Sequence, residues 1–354
     1  MDGTATNILV IRLGALGDVA NASWAVRSLR RAAPGARIAW LVEEGGGPLV
    51  SANPDVDEVI VLPRRHWSHM LRSPREWPTL RRETAAFFRG LRARRFDLLF
   101  DFQATLKSGL VAWRSGAPRR VGFSRSFGRE RNHFFMTECV TPAAVRQPRA
   151  EKYLSLVRHV FPGAPVDRPE VRTSSDETRV IEEFVKSAGL AGAPLVAMHP
   201  GTSAFGAFKR WPPERYGQVA ARLRECCGAR TIVTWGPADA TLPNAAVAAS
   251  SGAAVLAPAL SLTLLAALLR RVDLFVASDT GPLHLAALLN RPVVAVFGPK
   301  DPVIYGPYGC PAAIVRKDLD CSPCARRECP RPRCIEAITV DDVVGAAVGM
   351  MGRK

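Results

Sequence analysis

The sequence predicts an α/β protein built on two doubly wound parallel sheets, and three observations carry that expectation. Short apolar runs alternate with helical stretches along most of the chain, the pattern of strands covered by helices on both faces. Turns rich in Gly, Ser and Thr follow several of those runs, where parallel sheets gather their ligand loops. A length of 354 residues exceeds one small core and suits two such units.

The elements follow in order. Residues 8–12 form an apolar strand ended by Arg12, and residues 20–33 a helix with Trp24, Val26, Leu29 and Ala33 towards a core. Strands are expected at 37–42, 59–62 and 97–101. Between the last two, residues 78–95 read as a helix with Phe87, Phe88 and Leu91 as its buried stripe, and another helix opens at 107–113. Beyond Val140 the pattern loosens: 141–149 is polar, 151–161 helical and 163–172 Pro-rich. A second series starts with a helix at 176–188 and continues with strands at 195–198, 231–235, 254–256, 274–277 and 293–297. A helix closes the chain at 339–351, with Thr339 as its N-cap and Asp341 and Asp342 in its first turn. The expected division is 1–172, 173–338 and a terminal helical segment, 339–354.

Composition narrows the function. Hydrophobic residues make up 47% and charged residues 23%, which are globular values. No apolar run approaches the roughly 20 residues of a membrane span, and the first strand does not read as a signal peptide, so a cytoplasmic protein is expected. The net charge of +16 is concentrated: residues 60–131 hold 17 Lys or Arg against five Asp or Glu. Such a field attracts nucleic acid, a phosphorylated glycolipid or an anionic membrane surface. The apolar stripe within that region argues against an Arg-rich nucleic-acid arm. Eight cysteines in a cytoplasmic chain argue against a disulfide framework. Cys321, Cys324, Cys329 and Cys334 cluster in a Pro- and Arg-rich loop, where a structural metal site, a local clip or reduced thiols all remain open.

Ligands of doubly wound sheets bind at the carboxyl ends of strands, which selects the loops 13–18, 103–107, 199–210 and 279–284. Two lie in each half, so a cleft between the halves would collect all four. In the last loop, Asp279-Thr280-Gly281 stands where a strand gives way to a helix, and free N–H groups there favour an anion. Thr280 and His284 add side-chain donors, and Pro282 suits the first helical turn. The same run also reads as an ordinary turn with a capping Asp279. In the 199–210 loop, Lys209 supplies a point charge and Thr202 and Ser203 supply hydroxyls, a set able to wrap a diphosphate. Trp235-Gly-Pro-Ala-Asp239 ends a neighbouring strand and could border a nucleoside. In the first loop, Gly14 and Gly17 are three apart and no acidic residue ends a second strand at the right distance, which disfavours a nicotinamide site. Asp18 reads either as the N-cap of the first helix or as a general base for a hydroxyl.

Taken together, Arg12-Leu-Gly-Ala-Leu-Gly-Asp18, Asp101-Phe-Gln-Ala-Thr-Leu-Lys107, His199-Pro-Gly-Thr with Lys209-Arg-Trp-Pro, and Ser278-Asp-Thr-Gly-Pro-Leu-His284 with Phe297-Gly-Pro resemble glycosyltransferase family 9, the ADP-heptose:lipopolysaccharide heptosyltransferases. The resemblance covers nearly the whole chain, and its N-terminal half is most like heptosyltransferase I. It implies a GT-B fold, the acceptor held by the N-terminal half and ADP-heptose by the C-terminal half, with no cofactor beyond that donor. It also implies an inverting, metal-independent displacement in which Asp18 is the catalytic base. Lys209 matches the family's diphosphate lysine, and Thr280, Gly281, Leu283 and His284 its cradle for the leaving phosphates. Lys107, Arg64, Arg65, Arg129 and Arg131 fall in the region that receives an anionic glycolipid at the inner membrane. Two departures stand out. Where the family often has a ribose-binding glutamate after Trp235-Gly-Pro, this chain has Ala240, with Asp239 as the candidate replacement. Asn21 and Ser23 replace residues that are more often Thr or His. A different nucleotide sugar on another anionic glycan is the alternative within enzymes, and a basic nucleic-acid-binding protein is the alternative outside them.

Overall fold

The computed structural model describes residues 6–236, 241–324, 326 and 328–352. It divides into two compact units, Met1–Glu170 and Val171–Lys354. The first holds β1 (Asn7–Ile11), α1 (Leu16–Ala32), β2 (Arg37–Glu43), α2 (Gly47–Ser51), β3 (Glu58–Leu62), α3 (Arg64–Met70) and α4 (Trp77–Ala93). It continues with β4 (Leu98–Asp101), α5 (Leu106–Arg114), β5 (Arg119–Phe123), β6 (Glu138–Val140) and α6 (Arg149–Val160). Its sheet has the order β3-β2-β1-β4-β5-β6, every pair parallel.

The second unit holds α7 (Ser175–Ser187), β7 (Leu195–His199), α8 (Pro213–Cys227), β8 (Arg230–Val233), α9 (Thr241–Ala248), β9 (Ala254–Leu256) and α10 (Leu262–Arg271). After these come β10 (Leu274–Ser278), α11 (Gly281–Leu288), β11 (Val293–Val296), α12 (Pro302–Tyr305), β12 (Ala312–Val315), α13 (Arg333–Glu336) and α14 (Val340–Met351). Its sheet order is β12-β11-β10-β7-β8-β9, again all parallel. Counted from each unit's own first strand, the two sheets share one connectivity. Both faces of the central strands are covered, so β1, β7 and β10 are continuous apolar runs with no exposure on Ile8–Ile11, Leu195–Met198 or Leu274–Ala277.

The alternation legible in the sequence is the one observed, with three omissions. β5 begins with Arg119, exposed and paired with Glu138, and half-buried Arg120, which donates to the Phe135 and Ala117 carbonyls, so its apolar part is too short to register. β6 has three residues, and β12 is an edge strand with a half-exposed Ile314. α1 starts four residues earlier than its apolar spacing suggests, and it is buried almost all round because α6 packs along it. α4 buries Leu91 fully and half-buries Phe87 and Phe88. α14 packs on α8 and on the β10–β12 side of its own sheet. Its start is fixed by a reciprocal cap: Thr339 Oγ1 accepts from the Asp342 N–H at 3.2 Å, and Asp342 Oδ2 from the Thr339 N–H at 2.8 Å.

α8 and α9 touch through a glycine. A Cβ on Gly217 would collide with the Ala246 carbonyl oxygen and lie 2.8 Å from Ala249 Cβ. Gly217→Ala is therefore expected to destabilise the second unit by about 1–3 kcal/mol, read as a lowered urea midpoint. An unchanged midpoint would mean that the two helices part without cost.

Candidate active site

In each sheet the strand order reverses between the first and fourth strands, β1 and β4 or β7 and β10, and the loops leaving these strands carry the candidate residues. In the second unit the β7 loop runs into a 3-10 turn, Ala204–Lys209, that closes on Gly206. A Cβ there would sit 3.0 Å from Lys209 Cε and 3.3 Å from both Ser203 Oγ and Thr202 Cβ, so only glycine lets these three side chains gather. Thr202 Oγ1 accepts from Arg210 Nε at 3.3 Å. Trp211, fully buried, anchors the loop from below by donating its Nε1–H to the Ile338 carbonyl at 3.0 Å.

Lys209 Nζ donates to Asp279 Oδ2 at 2.6 Å, across 70 residues of sequence. His284 Nε2 lies 3.5 Å from the other oxygen of Asp279. Burial alone would raise the Asp279 carboxyl, but His284 and Lys209 bring it down to about 2. Asp279 is thus not the cap of α11: its carboxylate pairs with a lysine and a histidine at the head of that helix. The cap of α11 is Thr280, whose Oγ1 accepts from the Leu283 N–H at 3.4 Å, with Pro282 in the first turn. Gly281 and Leu283 stand in the same turn, Leu283 with its side chain fully buried. Below Lys209, buried His199 is lowered to about 4 by desolvation and is neutral at pH 7. Its ring contacts Thr234 Oγ1 at 3.0 Å, and that hydroxyl donates to the Met198 carbonyl, so Nδ1 carries the proton. Trp235 donates to the Ala257 carbonyl at 2.8 Å, while Asp239 lies outside the described residues.

In the first unit, Asp18 occupies the first turn of α1, but the N-cap position is Ala15, which offers no side-chain cap. The capping explanation of Asp18 therefore falls. Its carboxylate is instead paired with Arg12 through Oδ2 and with Arg149 Nη1 through Oδ1 at 2.8 Å, and the Tyr153 hydroxyl reaches Oδ1 at 3.5 Å. Arg12 is buried and lies over the Tyr153 ring, 5.6 Å from its centre. Lys152, next on α6, donates to the Phe127 carbonyl and sits 4.4 Å from the centre of the Phe123 ring. Burial, and then repulsion from Arg149, Arg129 and Arg12, lower its ammonium to about 8. Sequence reasoning missed Arg149, Lys152 and Tyr153. The signal was present as three functional side chains spaced i, i+3 and i+4 at the head of a helix, but their partner lies 131 residues away.

The β4 loop is organised by Asp101, which has no exposure. Its carboxylate accepts from Ser108 Oγ at 2.8 Å, Asn132 Nδ2 at 2.8 Å, Gln103 N–H at 2.9 Å and Ala104 N–H at 3.1 Å. Burial pushes this carboxyl up while those four donors oppose the shift. Gln103 in turn accepts from the Leu13 N–H at 3.2 Å, joining the β4 loop to the β1 loop. The Arg129 N–H reaches the Ala104 carbonyl at 2.9 Å, so Lys107, Arg129 and Arg131 belong to one connected loop cluster. Lys107, Arg129 and Arg131 are all exposed. Arg64 and Arg65 stand elsewhere, at the head of α3, where Arg64 is engaged by Glu43 at 2.7 Å and the Arg65 N–H by Glu44 at 3.3 Å.

The four clustered cysteines form no disulfide with one another. Cys334 is buried, and burial, with the nearby Cys324, Cys321 and Cys329, raises its thiol. Among the described residues, however, no three His, Cys, Asp or Glu are arranged to hold a metal ion. The loop is instead pinned to the end of β11, by Cys324 N–H to the Pro299 carbonyl at 2.7 Å and Ser322 Oγ to the Gly298 carbonyl at 3.1 Å.

Each Rossmann-like unit thus offers one candidate loop pair at its strand ends, a lysine held by an aspartate in one and a carboxylate among arginines in the other. The profile of glycosyltransferase family 9 (heptosyltransferase) matches residues 84–335, and the chain belongs to that family. Lipopolysaccharide heptosyltransferase 1 of Pseudomonas aeruginosa is 31% identical over 323 residues, 91% of this chain and 87% of that protein. The glycosyl transferase family 9 structure from Veillonella parvula gives a TM-score of 0.81 at 24% identity, covering 99% of this chain and 98% of the other. The E. coli heptosyltransferase WaaC with ADP gives 0.76 at 23% identity, covering 97% and 99%. At these identities the structural likeness is one of fold.

The Asp279 pairings carry a linkage consequence. A carboxyl lowered in the folded state stabilises above its unfolded value and loses that contribution as pH falls through the folded one. Asp279→Asn is therefore expected to cost roughly 2 kcal/mol at pH 7, with the difference from wild type closing as pH drops from about 4 to about 2. Urea unfolding at a series of pH values measures it, and a difference that does not shrink in acid would refute the pairing.

Proposed function

We propose that the protein transfers heptose from ADP-heptose to an anionic sugar of the lipopolysaccharide inner core, Kdo or heptose, by an inverting displacement that needs no metal. The observation that carries this reading is the Lys209–Asp279–His284 arrangement at the head of α11, in a chain this similar to a lipopolysaccharide heptosyltransferase 1. A leaving nucleoside diphosphate gathers negative charge as the bond to the sugar breaks. Lys209, the Thr202 and Ser203 hydroxyls and the helix terminus at Thr280–Leu283 supply the compensating field. Asp18 takes the acceptor hydroxyl proton, the new glycosidic bond forms as the donor bond breaks, and the electron pair departs on ADP. Arg12 and Arg149 hold both carboxylate oxygens of Asp18 in place for that step. Lys152, Lys107, Arg129 and Arg131 provide positive charge for an acceptor with carboxylate and phosphate groups. The reading puts the chain in the cytoplasm, working on a glycolipid at the inner membrane. Among the described residues no helix is long and apolar enough to cross a membrane.

Asp18→Asn is expected to lower turnover about 10²–10⁴-fold while ADP affinity, measured by calorimetry, stays within about twofold. Lys209→Ala is expected to do the reverse to binding, weakening ADP roughly tenfold or more. Unchanged turnover in the first variant would sink the assignment of the base. Since the Lys152 ammonium is lowered to about 8, the free enzyme loses that charge as pH rises through 8. The acceptor KM should therefore climb above about pH 8, and Lys152→Arg should carry the plateau higher.

The run Ala240-Thr241 after Trp235-Gly-Pro favours a second reading, a donor with another base. Calorimetry with ADP, UDP and GDP separates the two: a clear preference for UDP or GDP removes ADP-heptose as donor.

A further inference from the structure

α5 turns an apolar stripe outward. Leu106, Leu110 and Trp113, spaced i, i+4 and i+7, are 48, 42 and 56% exposed, whereas Ser108, Gly109, Val111 and Ala112 are buried. A helix on a sheet ordinarily shows its polar side to water. The surface beside the stripe is aromatic and cationic. Towards α4, Phe88, Arg89, Arg92, Trp113 and Arg114 line a groove of about 400 Å³, with the Arg114 guanidinium 5.0 Å from the centre of the Phe88 ring. On the other side, the turn Asn132–Phe135 packs on α5 and lifts Phe134 to 72% exposure beside Arg125 and Arg131.

We propose that this face seats on an anionic lipid bilayer, with Leu110, Trp113 and Phe134 entering the headgroup boundary and the flanking arginines meeting lipid phosphates. Charge selects the occupant. Residues 60–131 hold 17 Lys or Arg against five Asp or Glu, so a second copy of the chain would bring like charges together at the stripe. An anionic bilayer supplies the opposite sign and a place for the apolar groups. Neither part suffices alone: a short apolar stripe or a basic patch holds weakly, and stable attachment takes both. Each arginine near an anionic surface raises partitioning roughly fivefold, and tryptophan prefers the interfacial zone. Leu110, Trp113, Phe134, Arg89 and Arg92 are given no part in the transfer step proposed above, and the inference deepens that reading by naming the face that meets the membrane.

Cosedimentation of the full chain with phosphatidylcholine vesicles, with and without phosphatidylglycerol, is the test. Binding is expected only when phosphatidylglycerol is present, and raised salt should weaken it at least about tenfold. Leu110→Ser/Trp113→Ser and, separately, Arg89→Glu/Arg92→Glu should each lower binding about tenfold or more, with ADP affinity and melting temperature unchanged. The two variants differ in chemistry, so misfolding of one leaves the other to decide. Wild-type protein that stays in the supernatant overturns the proposal, as do variants that sediment like wild type. A dimer of the free chain that Leu110→Ser/Trp113→Ser abolishes also overturns it, since a second copy would then cover the stripe. The vesicles carry no sugar acceptor, so the result does not depend on which sugar is transferred.

Discussion

Parallel pairing of the first and fourth strands is the constraint on which both halves of the chemistry depend. β1 lies beside β4 and β7 beside β10, and in each sheet the connections leave that pair in opposite directions. The two carboxyl-end loops are thereby neighbours, whatever their separation in sequence. This is why Gln103 can reach Leu13 and why Lys209 can reach Asp279. The sheet itself is indifferent to what those loops carry, since its strands are apolar on both faces.

Two buried aspartates show how differently a carboxylate can be accommodated. Asp101 is surrounded by neutral donors, so burial wins and its carboxyl is pushed up. Asp279 faces a lysine and a histidine, so the charges win and its carboxyl falls to about 2. The first arrangement fixes loop geometry through four converging hydrogen bonds. The second stores a cation beside the head of α11 and keeps it from folding back into solvent. A carboxylate in the first unit is treated in a third way: Asp18 remains partly open to solvent between two guanidinium groups.

The sequence made the fold legible wherever burial on both faces forced uninterrupted apolar runs, as in β1, β7, β10 and β11. It was silent where a strand was short, edge-placed or opened by arginines, as in β5, β6 and β12, because such strands have no hydrophobic signature to read. In the candidate site, the Gly-rich turns after strands drew attention to Asp18, Lys209, Asp279, Thr280 and His284. The pairings among them, and the partners of Asp18 on α6, were not legible. Arg149 belongs to a helix that reads as ordinary, and only packing of α6 along α1 brings it to Asp18. Asp279 was recognisable as a loop residue, but its pairing with Lys209 was not, because 70 residues separate the two. Cysteine spacing left a metal site, a clip or reduced thiols open, and it gave no sign that the loop is bonded to Gly298 and Pro299.

The anchoring of Trp211 and Arg215 ties the Lys209 loop to a distant part of the chain. Trp211 donates to the Ile338 carbonyl, and Arg215 Nη1 lies 2.6 Å from the carbonyls of both Glu336 and Ile338. All three contacts hold the end of the Lys209 loop to the last stretch before α14. The Ile338 carbonyl that receives the Trp211 N–H lies 127 residues further along the chain. The lysine-bearing loop therefore rests on a floor from a distant segment, so a change that loosens the approach to α14 should be felt at Lys209 although it touches no residue of that loop.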